Sequence, residues 1–88
     1  MAIQQVMRAL ADPTRRKILE KLKKSPLAAS EIADCFPISP PAVSKHLSVL
    51  KEAGLVRCRR EGNFLIYELC ASVLEEAILW MLEMKEDT

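Results

Sequence analysis

Glycine occurs only twice in these 88 residues, so no glycine-rich loop is present to wrap a phosphate group with backbone amides. Histidine occurs once, at His46, and a lone imidazole has no second one with which to hold a metal ion or share a proton. The three cysteines, Cys35, Cys58 and Cys70, are odd in number and widely spaced, which is no disulfide framework. Aromatic residues are as scarce, with two Phe, one Tyr and one Trp, so the core has to be assembled from aliphatic side chains between helices. No apolar run is long enough to span a bilayer and the start lacks a signal-peptide pattern, so the chain is expected in the cytoplasm and not in a membrane. No nucleophile stands beside a base, and the acids near the end are spaced as a solvated helix face. An enzyme is therefore not expected, nor is a cofactor.

What the chain does have is hydrophobic residues at 50% and a lopsided charge. The net charge of +1 hides two halves. Residues 1–67 hold twelve of the thirteen Lys and Arg against six acids, a balance of +6, whereas residues 68–88 hold Lys85 against six acids, a balance of −5. A basic body masked by an acidic ending still presents a polyanion with a positive field.

Apolar spacing and punctuation divide the chain into one domain over residues 1–88. Ile3, Val6, Met7 and Leu10 sit at i, i+3, i+4 and i+7 of a short first helix, and Asp12-Pro13 reads as the cap and first residue of a second. That helix runs to about Lys24 with Ile18, Leu19 and Leu22 inward; a brief third helix spans Ala29 to Phe36, with Ala28 a poor cap. The fourth has the best-marked limits. Ser39 caps it, Pro40 opens it, Val43, Leu47 and Leu50 line its inner face, and Gly54 ends it. Val56, Arg57, Cys58 and Arg59 then alternate as a strand, Glu61-Gly62-Asn63 turns the chain, and Phe64 to Leu69 returns it as a hairpin. Ser72 with Glu75 is a capping box for the last helix. Its apolar residues, among them Leu74, Ile78, Trp80 and Met81, cover more than the ~100° stripe that a surface helix needs, which predicts a second subunit on one side of it. Helix, helix, short helix, helix, hairpin, helix is a mainly α winged helix-turn-helix with a two-stranded β-hairpin wing.

The outer face of the fourth helix carries Pro41, Ala42, Ser44, Lys45 and Ser48, short or once charged, where a solvated helix would carry long charged residues. Such a face fits close approach to a polyanion, and the major groove of double-stranded DNA is the natural match. Lys45 and Ser44 are candidates for base or phosphate contact. Ser39 with the first-turn amides is a candidate phosphate seat, restricted because Pro40 and Pro41 lack amide protons. His46 lies on the flank, suited equally to a phosphate and to a hydrogen bond within the fold. Arg57, Arg59 and Arg60 with Asn63 place a basic wing against the DNA backbone or minor groove. Of Arg15 and Arg16, one is expected to pair with an internal acid. The cysteines read as small buried hydrophobes, with a thiol-based redox response as the alternative.

Several of these segments carry a family resemblance. Ala11-Asp-Pro-Thr-Arg-Arg-Lys-Ile-Leu19, Ser44-Lys-His-Leu47 running into Leu50-Lys-Glu-Ala-Gly-Leu-Val56, Arg60-Glu-Gly-Asn63 and Tyr67 resemble the ArsR/SmtB family of bacterial winged-helix repressors over nearly the whole chain. The ending Val73-Leu-Glu-Glu-Ala-Ile-Leu-Trp-Met-Leu82 is similar to the SdpR branch, the autorepressor type. The resemblance implies a homodimer on a palindromic operator, built from the first and last helices through Ile3, Val6, Met7, Leu10, Leu74, Ile78, Trp80 and Met81. Metal-sensing members place a Cys-x-Cys pair where this chain has Ala28 and Ser30, or Asp and His ligands on the last helix, which here has no His or Cys. Metal sensing at either position is not expected. The releasing signal is left open among a ligand, a redox event and a protein that sequesters the repressor. The reading from another class is a winged-helix module for protein contact through its last helix.

Overall fold

A single residue, Asp12, separates the first two helices and Pro13 opens the second, and the same logic of capped starts and marked stops governs the rest. A computed structural model describes residues 2–86. Its elements are α1 (Ile3–Ala11), α2 (Pro13–Lys24), β1 (Leu27–Ala28), α3 (Ala29–Ala33), α4 (Pro40–Glu52), β2 (Val56–Glu61), β3 (Phe64–Leu69) and α5 (Ala71–Glu86). Asp12 caps α2 by accepting from the amides of Thr14 at 2.8 Å and Arg15 at 3.1 Å. Ser39 Oγ accepts from the Ala42 amide at 3.3 Å to cap α4. At the other end of α4, Gly54 takes φ +77°. Its amide then donates to Lys51 O at 2.9 Å and that of Leu55 to Leu50 O at 3.0 Å, a Schellman stop in which Leu50 and Leu55 are both fully buried. A side chain at this position would also meet Val73 Cγ2 at 3.3 Å from its Cβ.

The three helices α2, α3 and α4 wrap one aliphatic core. Ile18, Ile32, Leu47, Leu50, Leu55, Val6 and Val43 are its largest fully buried side chains, with Ala9 and Ala77 filling the narrow places, and no polar or charged residue is buried among the described residues. Each such aliphatic side chain removed from water stabilises the fold by about 1.5–3 kcal/mol. A two-residue loop, Gly62-Asn63, joins β2 to β3, with Gly62 at φ +61° in the first loop position, as a II′ hairpin requires. The loop sets the register: Glu61 faces Phe64, Arg59 faces Ile66, Cys58 faces Tyr67 and Arg57 faces Glu68.

The expected two-stranded hairpin, β2–β3, forms the wing, and a short strand that was not expected extends it. Leu27 and Ala28 pair with Tyr67 and Ile66, which makes a three-stranded antiparallel sheet in the order β1-β3-β2. Ala28 is both a strand residue and the cap of α3, a poor cap as expected because its side chain accepts no hydrogen bond; it is buried, and its own amide donates to the Glu31 carboxylate at 2.8 Å, the return half of a capping box. Helix α3 stops at Ala33, three residues short of Phe36, because Asp34 and Cys35 turn back onto it; Phe36 still packs against the core. Helix α5 starts at Ala71, so Ser72 falls inside its first turn and not at the cap. No helix among the described residues is long and apolar enough to cross a membrane.

Candidate nucleic-acid interface

Helix α4 is fixed from within by Val43, Leu47 and Leu50, each at most 1% exposed, so its opposite face is held outward. On that face Pro41, Ser44, Lys45 and Ser48 follow at i, i+3, i+4 and i+7 and all are exposed. Ser39 and Pro40 are exposed at its start, and Ala42 is half-buried on its flank. The expected phosphate seat at the helix start lacks free amides, however. Pro40 and Pro41 have none, the Ala42 amide is taken by Ser39 Oγ, and that of Val43 by Ser39 O at 3.1 Å. Ser39 keeps its hydroxyl proton, and Lys45 has no acid partner among the described residues.

His46 is the residue on which the sequence was evenly divided, and the structure gives it an internal partner. Its Nδ1 lies 3.2 Å from Arg15 Nη1. A guanidinium only donates, so the ring accepts at Nδ1 and carries its proton on Nε2. Arg15 does more than this. Its Nε donates to Ala9 O at 2.9 Å and its Nη2 to Arg8 O at 2.8 Å, while Arg16 Nη1 donates to Leu10 O at 2.7 Å. Three of the four carbonyls that α1 leaves without helical partners are thereby satisfied, at the negative end of its dipole. The expectation that one of these arginines pairs with an acid is corrected: both bind backbone oxygens. Asp12, close by, has its carboxyl held below the usual 3.8 by the Arg15 amide above all, against some desolvation, with the Thr14 amide and the charges of His46 and Arg15 adding to it. Arg8, Arg15, Ala42, Lys45, His46 and Val49 line a cleft of about 340 Å³ between α1 and α4.

The wing presents its cations differently. Arg57 Nε donates to Glu68 Oε1 at 2.7 Å and Arg59 Nη1 to Glu68 Oε2 at 3.1 Å, and Arg59 also reaches Glu61 Oε2 at 3.2 Å. Two arginines and two glutamates thus share the outer face of the ribbon. The hydrogen bond from Arg57 is the main reason that the Glu68 carboxyl sits below the ordinary 4.5; some desolvation opposes it, and the charges of Arg57 and Arg59 reinforce it. Arg60 lies on the other face of the ribbon, opposite Leu65, exposed and without an acid partner among the described residues, and Asn63 is exposed at the tip. The neutralisation of Arg57 and Arg59 was readable in principle, because a two-residue loop at Gly62-Asn63 fixes Arg57 opposite Glu68. The roles of Arg8 and Arg15 had no such local signal, since their partners arrive only when α1 folds against α4.

The residues expected to meet a second subunit divide. Val6 has no exposed surface and belongs to the protomer's own core, and Ile3, Leu10 and Leu74 are half-buried against it. Met7, Ile78, Trp80 and Met81 are exposed, as are Leu79 at 60%, Leu82 and Met84, and nothing on α5 beyond Ala77 is buried among the described residues. The cysteines depart from the expected buried state. Cys35 is exposed, its thiol donating to Glu31 O at 3.2 Å, and Cys58 and Cys70 are half-buried. Tyr67, across the ladder from Cys58, has its phenol pushed above its usual value by burial first and by its hydrogen bond with that thiol second.

With this geometry in hand, likeness to known proteins becomes informative. Residues 12–57 match the family described as bacterial regulatory protein, arsR family. The transcriptional repressor SdpR of Bacillus subtilis (strain 168) is 47% identical over 77 residues, an alignment covering 88% of this chain and 86% of that protein. Among solved structures, an ArsR-like transcriptional regulator from Rhodococcus sp. RHA1 superposes with a TM-score of 0.88 at 29% identity, over 97% of this chain and 80% of that one. The homodimeric winged helix-turn-helix DNA-binding domain Mb0332 from Mycobacterium bovis superposes with a TM-score of 0.77 at 30% identity, over 96% and 79%. These relatives are regulators, not enzymes. The fold, the segments around α2 and α4, and the match over residues 12–57 place the chain in the ArsR family of bacterial winged helix-turn-helix transcriptional regulators.

Proposed function

We propose that the chain is a sequence-specific, DNA-binding transcriptional repressor that works as a homodimer in the cytoplasm on a palindromic operator, and that its own promoter is among its targets. The observation that carries this reading is the outer face of α4: Pro41, Ser44, Lys45 and Ser48 exposed in one stripe, on a helix whose other side is locked into the core. A stripe of short side chains lets the helix backbone approach base edges, and two such helices reach successive major grooves about 34–36 Å apart on an inverted repeat. The likeness to the repressor SdpR supports the direction of control. The pairing surface is supplied by α5, where Ile78, Trp80 and Met81 stand among exposed apolar neighbours that a monomer leaves in water. Met7 of α1 adds to it.

The decisive experiment is a mobility shift on DNA upstream of the chain's own gene. A salt-sensitive shift is expected there, weakened roughly tenfold or more by Lys45→Ala. No salt-sensitive shift with the unaltered protein would overturn the reading. Trp80→Glu is expected to give a monomer by sedimentation and to weaken operator binding; an undiminished dimer would remove α5 from the interface. With Ala28 and Ser30 in place of thiolates, operator affinity is expected to be the same with chelator as with stoichiometric divalent ions.

A further inference from the structure

A helix lying in the major groove has sugar-phosphate backbone along both flanks, because the helix with its side chains is about 10–12 Å across and the groove about 12 Å wide. One flank of α4 carries Ala42, Lys45, His46 and Val49, again at i, i+3, i+4 and i+7, and these four residues form one wall of the cleft whose other wall is Arg8 and Arg15. Lys45 belongs to this stripe and to the outer stripe, so the cleft opens directly beside the face assigned to the groove. Every charged group that lines it is positive, and no acid does so. Asp12 is near but does not line the cleft; its Oδ1 accepts from the amides of Thr14 and Arg15, and its charge acts on Arg15 and His46.

The division of labour inside the cleft is specific. Arg15 has three of its donors occupied by Ala9 O, Arg8 O and His46 Nδ1, so it contributes charge and position and not a free fork. By holding Nδ1 as an acceptor it presents His46 with the Nε2 proton as the ring's remaining donor. The side chains of Arg8 and Lys45 have no partner among the described residues. We infer that this α1–α4 cleft is a seat for a phosphodiester group of the operator backbone. Arg8, Lys45 and the His46 Nε2–H act as its donors, and Arg15 is the positioning residue. The inference rests on the functional reading above and adds to it a second helix, α1, as a DNA-contacting element.

The test measures affinity for the operator and for an unrelated duplex of equal length across a range of salt, using the full-length dimer. Arg8→Gln is expected to weaken both by the same factor, roughly three- to tenfold, and to flatten the slope of log affinity against log salt by about 0.9 for each subunit bound. Arg8→Lys should keep the slope. Lys23→Gln, an equal loss of charge on the exposed side of α2, should leave it unchanged. If Arg8→Gln behaves as Lys23→Gln does while Lys45→Ala still impairs binding, the seat is overturned and the repressor reading stands. If the unaltered protein shows no salt-sensitive binding, both fall together. Inorganic phosphate titrated into the DNA-free protein separates the remaining source: amide shifts at Arg8 and His46 with an unchanged salt slope in Arg8→Gln would make this a site for a free anion and overturn the DNA assignment. Because the Arg8 side chain makes no bond among the described residues, the variant is expected to melt close to the unaltered protein, and a shift of the His46 side-chain nitrogen resonances on operator binding gives the same answer without a substitution.

Discussion

The wing, with Arg57, Arg59 and Arg60, and the α1–α4 cleft, with Arg8, Arg15 and Lys45, each carry three cations, and they differ in what stands against those charges. On the wing, Arg57 is bound to Glu68 and Arg59 to Glu68 and Glu61, and Arg60, on the reverse face of the ribbon, has no acid partner among the described residues. In the cleft the lining residues include no acid, and Arg15 is hydrogen-bonded to neutral carbonyls and an imidazole, with the Asp12 carboxylate as a nearby opposing charge that it does not bond through its side chain. A tally of basic residues ranks the two regions alike. Their fields differ, because a cation held by a carboxylate cancels at a distance, whereas one held by a backbone oxygen does not. The long-range attraction of this fold for a polyanion is accordingly expected to centre on α4 and its α1 flank, with the wing contributing shape and the single charge of Arg60.

The comparison breaks most visibly at Arg15. Its bonds to Arg8 O, Ala9 O and His46 tie the end of α1 to α4, so Arg15→Gln is expected to lower stability by about 2–3 kcal/mol, the scale of a few charge-assisted hydrogen bonds that partly compensate one another when lost. In a chain of this size that corresponds to a fall of roughly 10 °C or more in melting temperature, measured at fixed protein concentration because a dimer's melting point depends on it. The equivalent cut on the wing, Arg57→Gln, should leave the melting temperature close to that of the unaltered protein, since the Arg57 side chain is 71% exposed and its ion pair is screened by water. Equal losses would mean that Arg15 is no more than another surface pair.

A smaller effect, read in binding, comes from releasing the wing's charges. Among the described residues, Glu68→Gln frees Arg57 from its one acid partner and leaves Arg59 with Glu61. Operator affinity is expected to rise roughly two- to fivefold at low salt, and to become more salt-sensitive, if the ribbon's outer face borders the duplex. An unchanged affinity together with an unchanged salt slope would turn that face away from the DNA and leave Arg60 and Asn63 as the wing's contact.

Much of this architecture is legible without coordinates, and the part that is not has a common cause. Asp12, Ser39 and Gly54 mark their helix limits because a cap is a local event, satisfied within three residues by the side chain or backbone conformation of the marker itself. The inner face of α4 and the wide apolar face of α5 follow from periodicity alone. Strand β1 escapes notice because two residues carry no period, and its partners Tyr67 and Ile66 lie some forty positions away. The bond from the Ala28 amide to Glu31, three residues on, is local and lies at the spacing of a capping box. The partners of Arg15, Arg16 and His46 have no such mark, since basic residues after a cap read the same whether they meet an acid or the carbonyls of the preceding helix. Val6 shows the converse: a residue on a correctly read amphipathic face whose neighbour turned out to be its own core.

The finest distinction between the two regions lies in how each responds to acid. Asp12 and Glu68 both have folded-state values held below their ordinary 3.8 and 4.5. A lowered carboxyl contributes stability that is complete above its unfolded value and is lost as pH falls through the folded one, so the share of stability that these two carboxyls supply should be flat from about pH 7 to 5 and decline below about pH 4.5. The two contributions separate by salt. Glu68 owes its shift chiefly to an exposed bond with Arg57, so its share of the decline should shrink in molar salt. Asp12 owes its shift chiefly to amides at the start of α2, a short-range arrangement that salt barely screens, so its share should persist. Asp12→Asn keeps a side chain able to cap while removing the titration, and is therefore expected to flatten the acid limb even at high salt with little loss at neutral pH. An acid limb that high salt erases entirely would assign it to the wing, and the junction of α1 and α2 would then be held by its arginines alone.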